Sequence, residues 1–182
     1  MQNSDQQPLL ILDLDETLIH AVDAPLQSQY DFKVGPYFVY KRPHVDKFLE
    51  SVSSAFRLGV WSSSTSDYVA VVVKHLFGRK HFLQFHWGRD RCVQRYDPEW
   101  LSCYWVKDLK KVKRAGYDLN RVLVVDDTPQ KLERNYGNAV YVRSFEGNPS
   151  DNELQQLAPY LLSLADCANV RTIEKRAWRS HS

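Results

Sequence analysis

Four apolar residues in a row, Leu9-Leu10-Ile11-Leu12, stop at Asp13. A run without alternation predicts a strand buried on both faces of a parallel sheet. Two short stretches, 30–34 and 37–40, flank Gly35-Pro36 and predict a hairpin or flap beside that sheet. Pro43 suits a first helical position, and Val45, Phe48, Leu49 and Val52 follow at i, i+3, i+4 and i+7 as one apolar stripe. Residues 56–61 predict a second strand, 62–66 a polar turn, and Val69, Val72, Val73 and Leu76 a second helical stripe. From 78 to 105 aromatic, basic and histidine residues mix without a period, which predicts an insertion of short strands and loops. Residues 106–115 then read as helix up to Gly116, and residues 121–125 as an apolar strand running into Asp126 and Asp127. A short helix from Pro129 and a strand at 139–142 follow. Ser150 and Glu153 have capping-box spacing ahead of Leu154, Leu157, Leu161 and Leu164, so a final helix is expected.

Strands alternating with helices imply a three-layer α/β fold around a parallel sheet, in one domain of residues 1–182 with an insertion at about 78–105. Such sheets bind ligands outside the carboxyl ends of their strands. Two of the strands predicted here end in acidic pairs at that edge.

Composition narrows the functions available. Hydrophobic residues at 43% and charged residues at 25% exclude a disordered or low-complexity chain. A net charge of +2 is too mild to imply a nucleic-acid partner. No apolar run approaches the roughly 20 residues of a membrane span, and the polar start lacks a signal-peptide pattern. Cys92, Cys103 and Cys167 are an odd set without a CxxC pair, so a reducing compartment, cytoplasm or nucleus, is expected. His81, His86, Cys92 and Cys103 have no compact zinc-ligand spacing. Arg171, Lys175 and Arg179, four apart, predict a basic helical face on the surface.

Asp13-Leu14-Asp15-Glu16-Thr17 sets two carboxylates two residues apart where a buried strand runs out, and period-two geometry aims both to one side. Carboxylates at the rim of an apolar sheet need a counter-charge, and a hard divalent cation with oxygen ligands supplies one. The second acidic pair, Asp126-Asp127, can complete the site. Mg²⁺ suits it, because that ion accepts a few carboxylates, keeps waters and binds substrate phosphate.

The segment Asp13-Leu14-Asp15-Glu16-Thr17-Leu18-Ile19-His20 resembles the first motif of the haloacid dehalogenase superfamily. More narrowly it resembles the small C-terminal-domain phosphatases, the NLI-interacting-factor-like group. The likeness continues in order through residues 41–49, through Val60-Trp61-Ser62-Ser63-Ser64, through Tyr104-Trp105-Val106-Lys107-Asp108-Leu109, and through residues 122–129. The resemblance implies a Mg²⁺-dependent phosphomonoester hydrolase acting on phosphoserine or phosphothreonine in proteins through an aspartyl-phosphate. By position it makes Asp13 the nucleophile and Asp15 the general acid and base. Ser62 and Lys107 would join them in catalysis and, with Thr17 and Ser63, hold the phosphate. The expected metal ligands are Asp13, the main-chain carbonyl of Asp15, and Asp126 or Asp127. A phosphorylated protein or peptide is the expected partner, met by a monomer.

Two stretches depart from that group's pattern. The segment between His20 and Lys41 is shorter where those enzymes build part of a proline-recognising pocket, and the insertion is longer. Its Trp87, Tyr96, Trp100, Arg89, Arg91 and Arg95 either overhang the site and recognise the leaving group or form a small satellite core. The other functions that this pattern allows are a small-metabolite phosphatase with the same machinery and a non-catalytic peptide-binding module on the same fold.

Overall fold

A computed structural model describes residues 7–78 and 81–181. Five strands form the central sheet, all parallel: β1 (Leu9–Leu12), β5 (Arg57–Trp61), β6 (Leu83–Trp87), β9 (Val122–Asp126) and β10 (Ala139–Tyr141), in the order β10-β9-β1-β5-β6. The chain runs from β1 outward to β5 and β6, then returns across β1 to β9 and β10. This reversal makes the gap between β1 and β9 the switch point, where a doubly wound sheet opens a crevice. Register places Leu12 beside Val60 on one side and beside Val125 on the other, so the residues that follow these three emerge together.

Alternate residues of each strand divide between two cores, as period-two geometry requires. Leu10, Leu12, Leu58, Val60, Leu123 and Val125 face the helices α1 (Val45–Ser53), α2 (Ser66–Leu76) and α4 (Glu153–Ser163). Leu9, Ile11, Trp61, Val122 and Val124 face α3 (Lys110–Arg114) and the 3-10 turn Pro129–Leu132. The expected stripes are buried: Val45, Phe48, Leu49 and Val52 on α1; Val69, Val72 and Leu76 on α2, with Val73 half-buried; and Leu154, Leu157 and Leu161 on α4.

Several boundaries differ from expectation. Pro43 is not a first helical position: α1 starts at Val45 behind His44, a non-glycine at φ 67°, because the Arg42 carbonyl is engaged by the Val45 N–H and the chain turns there. The flap gains a strand, β2 (Ile19–Val22), which pairs antiparallel with β4 (Tyr37–Lys41) beside β3 (Phe32–Val34). Part of the insertion belongs to the main sheet, since β6 pairs parallel with β5 as its edge strand. Among the described residues of the insertion, β7 (Val93–Asp97) and β8 (Ser102–Val106) stand apart, as an antiparallel hairpin. Val106 therefore closes a strand, and α3 covers less of 106–115 than its lysine-rich sequence suggests.

The capping box at Ser150 is absent. The Glu153 N–H is taken by Asp151 Oδ1 at 3.0 Å, and the buried Glu153 side chain instead accepts from the Arg143 N–H and pairs with Arg179. The basic C-terminal face does not form, because residues 164–181 fold back as turns and short 3-10 segments. There Lys175 is buried with its ammonium on the Val170 and Ile173 carbonyls, and Trp178 is buried with its Nε1 donating to the Tyr141 carbonyl.

Candidate active site

β1 delivers Asp13 to the carboxyl edge of the sheet. Its N–H donates to the Val125 carbonyl at 3.0 Å, which extends the β1–β9 ladder by one residue and sets Asp13 beside Asp126. Both carboxylates are buried, at 1% and 0% exposure. Two such groups in an apolar rim demand compensation.

Two lysines provide it. Lys107, the first residue after β8 and fully buried, places Nζ 2.8 Å from Asp13 Oδ1 and 2.6 Å from Asp126 Oδ2. Lys131, on the turn Pro129–Leu132, places Nζ 2.8 Å from Asp13 Oδ2, 3.4 Å from Asp126 Oδ1 and 3.3 Å from Asp127 Oδ1. The lysines are themselves tied together, the Lys107 N–H donating to the Lys131 carbonyl at 2.8 Å. Burial pulls the Asp13 carboxyl upward, but the two ammonium charges outweigh it and hold the group below its ordinary value. Asp126 is pushed up to about 6 by burial and then by the Asp13 charge, which its lysine contacts do not overcome. Burial works against a charged Lys131, yet the three carboxylates hold its pKa above that of a free lysine.

After Asp13 the chain curls, with the Leu14 carbonyl accepting from the N–H groups of Thr17, Leu18 and Ile19. Glu16 takes φ 58° to make the turn, and Arg42 pins it by donating Nη1 to the Thr17 carbonyl at 3.0 Å. Asp15 thereby faces the start of α2. Tyr68 donates its hydroxyl to Asp15 Oδ1 at 2.6 Å, Ser64 donates to Oδ2 at 2.8 Å, and Ser62 Oγ lies 3.4 Å from Oδ2. Burial and then the Asp13 charge outweigh those hydrogen bonds and raise the Asp15 carboxyl above its ordinary value. Neighbouring carboxylates with opposed shifts are the arrangement that divides nucleophile from acid.

Ser62 is fixed at the end of β5, where its N–H donates to the Trp87 carbonyl and its Oγ accepts from the Ser64 N–H. The Ser63 carbonyl accepts from Arg89 Nε at 2.6 Å. Thr17 is buried, and its hydroxyl finds no partner among the described residues. Asp15, Glu16, Tyr37, Ser64, Tyr68 and Arg89 line a cavity of about 310 Å³.

Asp13, Asp126 and Asp127 each offer an oxygen within 4.8 Å of the others. An oxygen-only donor set of three carboxylates fits a hard divalent ion such as Mg²⁺. The Asp15 carboxylate is engaged by Ser64 and Tyr68 instead.

The structure thus gathers Asp13, Asp15, Ser62, Lys107, Asp126 and Asp127 at one edge. It adds Lys131, Ser64 and Tyr68, to which the sequence motifs assign no role. Lys131 carries a visible signal in its i, i+4 spacing from Asp127. Tyr68 carries none, since its position in the first turns of α2 shows nothing about Asp15. The aromatic insertion divides in two. Trp87 stacks on Phe85 with centroids 4.0 Å apart and meets buried Trp61 edge-on at 5.1 Å, half-buried against the core. Arg89 forms cavity wall, whereas Tyr96 and Trp100 stand exposed on the hairpin.

A family model described as NLI interacting factor-like phosphatase matches residues 8–171. The chain belongs to that family. Among its relatives are the CTD nuclear envelope phosphatase 1B of Danio rerio, 32% identical over 98% of this chain and 76% of the relative, and the CTD nuclear envelope phosphatase 1 of Xenopus laevis, 33% identical over 97% and 75%. The human carboxy-terminal domain RNA polymerase II polypeptide A small phosphatase 1 is 32% identical over 94% of this chain and 64% of its own length. The solved structure of Fcp1, an RNA polymerase II CTD phosphatase, superposes with a TM-score of 0.57 at 20% identity. It shares the fold over 87% of this chain, which spans about half of that structure (49%). Family and site together make the protein a phosphoprotein phosphatase of the haloacid dehalogenase type.

Proposed function

We propose that the protein hydrolyses phosphoserine and phosphothreonine monoesters in proteins or peptides, in two steps through an aspartyl-phosphate on Asp13. The observation that carries this reading is the contrast at the end of β1: Asp13 held ionised between two ammonium groups, and Asp15, two residues on, raised toward its protonated form. In the first step an Asp13 oxygen attacks phosphorus, the ester bond breaks, and Asp15 gives its proton to the leaving serine or threonine oxygen. In the second, Asp15 takes a proton from water, whose oxygen attacks phosphorus and frees Asp13 and inorganic phosphate. Lys107 sets a fixed positive charge against the group in flight, at no reorganisation cost because it is already buried in place. Ser62, Ser63 and Thr17 are assigned to the phosphoryl oxygens. Asp13, Asp126, Asp127 and the Asp15 carbonyl would hold Mg²⁺, which when bound supplies counter-charge to the transferring group.

Flap residues Ala21 and Tyr37 and the loop residue Arg89 line the cavity beside Asp15, a wall suited to a phosphorylated side chain on a polypeptide. A single copy of the chain provides every residue of this scheme. The free thiols Cys92, Cys103 and Cys167 suit a reducing, intracellular setting, as does the nuclear-envelope naming of the relatives.

The test is phosphate release from phosphoserine and phosphothreonine peptides, an aryl phosphate and a panel of phosphorylated metabolites, with and without a chelator. The expected result is Mg²⁺-dependent turnover with the highest kcat/KM on peptides, and none by Asp13→Asn. Turnover that survives in Asp13→Asn, or a preference for a metabolite, would overturn the reading.

A further inference from the structure

We propose that Lys131 is a tethered counter-cation: its ammonium occupies the centre of the carboxylate group in the metal-free protein and withdraws toward solvent when a divalent ion takes that place. The inference rests on the metal reading given under the proposed function.

The two lysines of the site are not equivalent. Lys107 uses Asp13 Oδ1 and Asp126 Oδ2, whereas Lys131 contacts Asp13 Oδ2, Asp126 Oδ1 and Asp127 Oδ1, one oxygen from each member of the metal-binding group. The oxygens left over by Lys107 therefore converge on the Lys131 ammonium. A divalent ion such as Mg²⁺ would draw such oxygens to about 2.0–2.1 Å, so ion and ammonium cannot share the position.

The lysines also differ in freedom to move. The Lys107 side chain is fully enclosed, at 0% exposure, while that of Lys131 keeps 18% and stands on a short surface turn. Its four-carbon stem lets the charge swing out at little cost.

Charge and scaffolding agree with an exchange. Three carboxylates against two ammonium groups leave one negative charge, and replacing one ammonium with a doubly charged ion removes it. The carboxylates do not depend on Lys131 for their positions. The Thr128 N–H donates to Asp126 Oδ1 at 3.0 Å, the Thr128 hydroxyl donates to Asp127 Oδ1 at 3.0 Å, and the Asp13 backbone is fixed in the ladder. Lys131 thus tempers carboxylate repulsion before loading and is dispensable afterwards.

Reductive methylation of the wild-type protein, read at Lys131 by mass spectrometry with buried Lys107 as internal reference, tests the movement directly. Mg²⁺ is expected to speed labelling of Lys131 several-fold; a rate that stays the same or falls overturns the proposal. Mg²⁺ titration calorimetry on Lys131→Gln adds an independent readout. The variant is expected to bind Mg²⁺ about tenfold more tightly, the scale of effects from groups around a metal. In chelator its Tm is expected to be lower by about 2–8 °C, a deficit that Mg²⁺ closes. Weaker Mg²⁺ binding by the variant would also overturn the proposal. If neither protein bound Mg²⁺, the metal reading itself would fail and this inference with it. Mg²⁺ binding without a rise in Lys131 labelling sinks the exchange alone.

Discussion

Asp15 is held by three hydroxyl-bearing residues, and each interaction has a measurable consequence. Asp15→Asn removes the proposed proton donor while keeping the shape, so turnover should fall by about 10²–10⁴. The loss should be largest on phosphoserine peptides and smallest on aryl phosphates, whose leaving oxygen needs little help; steady-state kinetics on both substrates checks it. Tyr68→Phe deletes only the 2.6 Å hydrogen bond to Asp15 Oδ1. The expected result is a fall in kcat of about tenfold with KM nearly unchanged, since a loosened acid affects the reaction more than binding. Much of this site is legible in the chain's own pattern. Asp13, Asp15, Asp126 and Asp127 stand where apolar runs end, and a carboxylate at the end of a buried strand is a strong signal. Lys107 is visible only through family resemblance, because alone it reads as one lysine among several on a basic stretch. Lys131 and Asp13 are 118 residues apart and meet only through the return of the chain across β1.

At the scale of elements, stripes are readable and joints are not. The apolar periods of α1, α2 and α4 mark their buried faces because burial selects those positions. β6 escapes because its residues are mostly half-buried at a sheet edge, so neither alternation nor a continuous apolar run marks it. β2 escapes likewise, being a short flap strand with only Ile19 fully buried. One joint governs the site from outside it. A Cβ on Gly88 would lie 2.6 Å from the Ser66 hydroxyl and 2.8–2.9 Å from its backbone, where the end of β6 presses on the start of α2. Backbone cannot give way as a side-chain tip can. Gly88→Ala should therefore cost about 1–3 kcal/mol of stability, lowering Tm by roughly 2–4 °C per kcal/mol. It should also displace Arg89 from the Ser63 carbonyl; thermal unfolding and peptide KM would both report it.

Across the whole molecule, Arg42 joins three distant segments. Its buried guanidinium donates to the Thr17 carbonyl and makes two hydrogen bonds, of 2.8 and 2.9 Å, to Asp151 ahead of α4. Burial raises the Asp151 carboxyl, but its hydrogen bonds with Arg42 prevail and leave it below the ordinary value of 3.8. A lowered folded-state pKa means the pair contributes fully above the unfolded value and less as pH falls from there through the folded one. Urea unfolding from pH 6 down to pH 3 should show a loss of stability at the acid end that is smaller in Asp151→Asn. Asp151→Ala, which strands the guanidinium, should cost about 3–5 kcal/mol at neutral pH.

The central place of β1 also sets a timetable for folding. Its partner β5 lies nearby in sequence, but β9 arrives more than a hundred residues later. During synthesis Leu9–Leu12 would wait with one flank unpaired, an apolar ribbon open to other chains. Long-range parallel pairing is slow because its loop entropy is spent before any contact returns it. In pulse-labelled amide exchange during refolding, the Asp13 N–H, which bonds to Val125 across that late seam, should gain protection after the amides of the β1–β5 seam. Simultaneous protection of both flanks would show that the sheet condenses at once. Asp13, the proposed nucleophile, therefore sits on a seam that closes late, after β1 has met β5, and a half-made chain cannot yet do chemistry.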